Sequence, residues 1–147
     1  MVMLLDTFYF IGILVTLTLF LNILTFKRHI RISEWLFSFK KVTGNNPNIS
    51  DYREGDYIFL LKRNIYSIFE SVWVLIGLLS DNWLMFVFII IYTKLFEIAL
   101  KEIRFTIIGK VMFFKLMLIK FIIYSFIVLN NFYFHINLYE EMLNIFN

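Results

Sequence analysis

The stretch RNIYSIFESVWVLIGLLSDNWLMFVFIIIYTKLFEIALKEIR (residues 63–104) decides how this chain reads. Two apolar arms flank a polar turn, Ser80-Asp81-Asn82, and their far ends are marked by bases: Arg63 on one arm, Lys101 and Arg104 on the other. Each arm approaches the roughly 20 residues that cross a hydrocarbon core about 30 Å thick, so the stretch predicts a transmembrane helical hairpin. Three charges lie inside it, Glu70, Lys94 and Glu97. At about 1.5 Å per residue from the turn, Glu70 and Lys94 reach nearly the same depth, close to mid-membrane. A charge there costs about 2.5–3.5 kcal/mol even on lenient insertion scales, so both are expected to face protein. Arg63, Tyr66, Ser67, Glu70, Trp73 and Gly77 form a stripe on one arm, and Lys94, Glu97, Lys101 and Arg104 form one on the other. Opposed across the hairpin, these stripes pair Glu70 with Lys94 and turn Glu97 toward Arg63. Two roles fit such a group: a buried ion pair that fixes register, or a proton-relay carboxylate tuned by a lysine.

Working outward, the whole chain is read as an all-α integral membrane protein, a single membrane domain over residues 1–147 with about four spans. Its residues are 61% hydrophobic, where soluble domains are roughly half apolar. Residues 4–26 form a first span, retained because no basic signal-peptide head precedes it. Its polar residues Thr18, Asn22 and Thr25, followed by His29, share a stripe suited to interhelical hydrogen bonds. Residues 31–41 read as a short interfacial amphipathic helix with Trp35 as anchor, followed by a polar loop from Val42 to Asp56 around Pro47. The remaining spans are expected at 64–80, 83–100 and 111–134, with an acidic tail at 137–147. Most Lys and Arg residues fall in the basic-side segments 27–63 and 101–110, against Asp6, Asp81, Glu140 and Glu141 on the other side. That asymmetry requires an even number of spans. Lys110, Lys115 and Lys120 are spaced by five and share no helix face, which suits contact with anionic lipid. Lys120, on one side with Tyr124 and Asn131, is the best of the three for a group facing other helices.

Several function classes drop out. Cysteine is absent, which removes disulfides, thiol catalysis and cysteine-bound metal. No glycine-rich nucleotide loop, serine–histidine arrangement or paired catalytic carboxylates are found, so no stand-alone catalytic constellation, cofactor or nucleic-acid partner is expected. His29 and His135 belong to opposite membrane faces and are not expected to share a metal. Residues of AT-rich codons dominate, and Ala99 is the single alanine, although small residues normally let membrane helices approach. This bias points to an AT-rich genome, an organelle foremost.

Arg63-Asn64-Ile65 opening a span, Glu70 within it and Glu97 in the next resembles subunit 4L of NADH dehydrogenase, a small organelle-encoded family. The chain departs from that family in its fourth span, in the closer spacing of Arg63 and Glu70, and in Lys101 after the third span. The resemblance implies proton-relay roles for Glu70 and Glu97. The expected function is a structural or coupling subunit of a respiratory-chain or ATP-synthase complex, non-catalytic itself, in the mitochondrial inner membrane. Its partners would be the lipid bilayer and other membrane subunits. The alternative is a small homo-oligomeric pore, channel or transporter, such as a phage holin or membrane defence effector, in a bacterial or phage-infected cell inner membrane.

Overall fold

Phe8, Gly12, Val15, Leu19 and Ile23 are the buried residues that recur every three or four positions along the first helix, α1 (Val2–Leu24). One side of α1 therefore makes the packing contact, although the helix is apolar all round and carries no sequence mark of its inner face. The computed structural model describes residues 2–147, with side chains from Asp6 onward, and among these the chain is all-helical with no strand. After a break at Thr25 come α2 (Phe26–Thr43), α3 (Asp56–Leu78), α4 (Trp83–Leu100), α5 (Ile107–Leu129) and α6 (Leu138–Phe146). A π turn over Asn130–Phe134 joins the last two. The stretches Asp6–Leu24, Trp83–Leu100 and Ile107–Phe134 are long and apolar enough to cross a membrane.

The element boundaries show where hydropathy and helicity part company. The third expected span coincides with α4, and the acidic tail contains the short α6, whose first turn is capped by Asn137. By contrast α3 starts well before residue 64, and α5 starts before residue 111. Lys62 and Arg63 interrupt the apolar run but are good helix formers, so the helix passes through them. Likewise α2 extends beyond 31–41 at both ends, stopping at Gly44 in a left-handed conformation (φ 74°).

Four of the helices, α1, α3, α4 and α5, form an up-down-up-down ring in which α1 packs on α3 and α5, and α4 closes the ring between them. Each contributes one ring to a central aromatic group: Phe8, Trp73, Phe86 and Tyr124, all buried. Phe86 and Tyr124 meet Trp73 edge-on at 5.1 and 5.0 Å, and Phe8 stacks at 6.3 Å. Such edge-to-face contacts add about 0.5–1.5 kcal/mol each beyond area burial. Two glycines make room for them. A Cβ on Gly12 would lie 2.8 Å from Trp73 Nε1, and one on Gly77 would collide with the Phe86 ring. At one end of the ring, Asn82 and Asn130 donate to the Ile136 carbonyl at 3.2 and 2.9 Å, Asn137 donates to that of Asp81, and Trp83 packs on Tyr139. The other end gathers α2, the start of α3 and the segment between α4 and α5.

Gly77→Val should drive a methyl group into the Phe86 ring and destabilise the fold by about 1–3 kcal/mol. Thermal unfolding of the purified protein checks this, with Leu79→Val at an exposed site as the unchanged control.

Candidate functional site

Both α3 and α5 start at the same end of the ring, at Asp56 and Ile107. Glu70 and Lys120 consequently stand about 20 Å along their helices, at matched height. Lys120 Nζ lies 2.6 Å from Glu70 Oε1, and the Tyr124 hydroxyl donates to the same oxygen at 2.6 Å. Lys120 and Tyr124 are one turn apart on α5, and the ammonium also sits 5.4 Å from the Tyr124 ring centre. The pair is enclosed, with side-chain exposures of 20% for Lys120 and 17% for Glu70. Charge-assisted contacts of this kind are about twice as strong as neutral hydrogen bonds. Tyr66, one turn before Glu70, buries its hydroxyl beside the same carboxylate.

Glu70 also borders two hollows. One, of about 370 Å³, runs from Glu70 and Lys120 to His29, Arg63 and Arg104 at the α2 end. The other, of about 300 Å³, is lined by Glu70 and Tyr124 together with Ser71, Thr93 and Lys94. Chemically, the arrangement is a carboxylate held by one cation and one phenol at the junction of two cavities.

The expected Glu70–Lys94 pair does not form. Lys94 bonds instead to Glu97 on its own helix, at 3.3 Å, and both side chains point outward, 70% and 68% exposed. Equal depth fixes height along a helix and says nothing of rotation about its axis. The inward side of α4 is marked by Phe86, Ile89 and Leu100, with Thr93 and Phe96 half-buried between. Lys94 and Glu97 each follow an inward position by one residue, which is about 100° around the helix. Nor does Glu97 reach Arg63, whose Nη1 donates to Ser33 Oγ at 3.0 Å.

The three lysines of α5 take three different places. Lys110 pairs with Glu34 on α2 at 3.2 Å, Lys115 is exposed, and Lys120 faces inward, on the side the sequence singled out. Trp35 packs against Phe39 and Tyr52, fastening the loop after α2. Of the polar stripe on α1, Thr18 and Thr25 donate to carbonyls of their own helix in place of neighbouring helices. Asn22 does reach across the break, to His29 Nε2 at 3.3 Å.

A cluster that sequence reasoning missed sits at Asp56. Arg31 grips this buried carboxylate with both ends of its fork, at 3.0 and 2.9 Å, and Arg28 adds contacts of 3.3 and 3.2 Å. Hydrogen bonds from Arg31 foremost, against the opposing effect of burial, hold the carboxyl below the usual carboxylate range. Polarity alone puts Asp56 in the loop, yet Gly-Asp just ahead of an apolar run is a helix-start signal, and an acid there also suits the helix dipole. Beside it, His29 is kept neutral: burial, then Arg63 and Arg28, lower its pKa to about 4.

No protein-family model, no curated protein and no solved structure matches this chain.

Glu70→Gln and Lys120→Met should each cost about 3–5 kcal/mol, because each strands a buried partner, while the double substitution should recover most of the loss. A double-mutant cycle on unfolding free energies measures this, and the corresponding Glu70–Lys94 cycle should show no comparable coupling. His29 gives a pH signature. Its folded pKa of about 4 lies below the ordinary 6.5, so the unfolded chain takes up the proton first as pH falls. Stability is full above pH 6.5 and declines toward pH 4; His29→Gln should flatten that slope in unfolding curves recorded across the window. Loss of the Asp56 clamp belongs below this window, under its ordinary value of 3.8.

Proposed function

We propose that this chain is an integral membrane protein spanning with α1, α3, α4 and α5, and that it serves as a structural or coupling subunit of a larger energy-transducing complex of the mitochondrial inner membrane. The observation that carries the subunit reading is the Lys94–Glu97 pair, standing outward on a helix apolar enough to cross a membrane. Against lipid, a charge near mid-depth costs about 2.5–3.5 kcal/mol, a cost that polar groups on a neighbouring membrane subunit would offset. The four-span reading draws on α3, which meets no apolar standard alone but internalises Glu70 against Lys120 and secures Arg63 on Ser33. Its orientation follows from the gathering of α2, Arg63 and Arg104 at one end, with Asp81 and α6 at the other.

The coupling role is supported by the position of Glu70 between two cavities, one leading to the basic end and one to the α3–α4 groove. A carboxylate in that position has a route for proton exchange on both sides, with Lys120 setting the ease of protonation. The resemblance to subunit 4L of NADH dehydrogenase implies the same for Glu70 and Glu97, and the AT-rich residue usage supports an organellar origin.

Native electrophoresis in mild detergent tests the reading. Wild-type protein should co-migrate with a multi-subunit respiratory or ATP-synthase assembly, and Lys94→Leu/Glu97→Leu should be released from it while remaining folded. Migration as a pure homo-oligomer would sink the proposal and favour a self-assembling pore or transporter, since the outward pair would then be covered by a second copy.

A further inference from the structure

The cavity of about 370 Å³ at the basic end is unbalanced in charge. Arg63, Arg104 and Lys120 line it with Glu70 as the one carboxylate, and Glu70 is already taken by Lys120. Of the other acids at this end, Asp56 is engaged with Arg28 and Arg31 and Glu34 with Lys110, while Asp51, Glu54 and Glu102 are exposed and do not line the cavity. Arg63 and Arg104 have no carboxylate within ion-pair distance among the described residues, although they face a common space. Arg63 is half-buried and spends one nitrogen on Ser33, and the Arg104 guanidinium stands 5.3 Å from the Phe105 ring centre. Two guanidiniums gathered without an acid cost repulsion that an anion between them would reverse. The fork of each presents paired donors that match the oxygens of a phosphate, and Ser33, Asn64 and Ser67 add neutral polar groups to the wall. The volume falls within the range of about 300–1,000 Å³ typical of small-ligand sites.

We infer that this cavity binds a phosphate-bearing anion between Arg63 and Arg104. The chemistry is shared by the headgroup of an anionic phospholipid entering from the bilayer and by free phosphate entering from solution. The site stands apart from the subunit reading, and both arms of its test take from that proposal only that the chain inserts in a bilayer.

The test uses the full chain in nanodiscs of phosphatidylcholine, titrated with inorganic phosphate, and in matching nanodiscs containing phosphatidylglycerol. Thermal midpoint and native mass spectrometry of retained lipid are the readouts. Stabilisation by phosphate in neutral lipid identifies the free anion, and selective retention of phosphatidylglycerol identifies the headgroup. In either case Arg63→Gln and Arg104→Gln should each weaken binding about tenfold. Arg63→Lys, which keeps the charge and loses the fork, should fall between. Lys41→Gln, an exposed base outside the cavity, should bind as wild type. Wild-type protein that prefers neither probe overturns the inference whatever the variants do. Undiminished binding in a folded arginine variant overturns it too, as does an equal loss in Lys41→Gln.

Discussion

The contact between Glu70 and Lys120 is the constraint on which the arrangement of helices turns. α3 carries more charge than the other three helices of the ring and is the only one of the four without a stretch long and apolar enough to cross a membrane. Its membership of the ring depends on Glu70 being satisfied from inside. Lys120 provides the charge, and Tyr124 provides both a hydroxyl for Glu70 and a ring edge for Trp73. The polar contact and the aromatic centre are therefore one unit, joined through a single side chain. Removing either charge strands the other in a poorly solvated place, which is far worse than never having had the pair.

Much of this was legible in the residues. The hairpin turn, the limits of α4 and the inward stripe from Tyr66 through Glu70 and Trp73 to Gly77 follow from spacing alone. The pairing did not, for a physical reason. Depth is readable from residue counts, whereas rotation about the axis needs an amphipathic signal, and α1, α4 and α5 are apolar nearly all round. Counting from the turn matched Glu70 with Lys94; counting from the basic end matches it with Lys120, and only packing chooses between them. Asp56 was hidden for a different reason. Its partners Arg28 and Arg31 are distant in sequence, and a loop boundary placed at residue 56 concealed a helix start.

Charge is divided along the ring in a way that separates two tasks. At the basic end, Arg28 and Arg31 with Asp56, and Lys110 with Glu34, tie α2 to α3 and α5, so these acids are spent on structure. Among the bases there without an acid partner, Arg63 and Arg104 border the larger cavity, with Glu70 at its inner end. The opposite end is fastened by asparagine amides on backbone carbonyls, without an ion pair among the described residues. Electrostatic chemistry is thus concentrated in one half of the molecule, and the other half is closed by neutral hydrogen bonds.

Gly12 and Gly77 take on another meaning beside the residue usage of the chain. Glycine codons begin with two guanines, so the AT-rich origin proposed for the gene would put each under steady pressure to change. Ala99 is the lone alanine, and a Cβ at either glycine would press on an aromatic ring, so neither alanine nor serine fits in its place. On that origin, codons 12 and 77 are where mutational drift and the packing of Trp73 and Phe86 would oppose each other most directly. Among diverging relatives, substitution there should stall while the outward phenylalanines and isoleucines exchange freely.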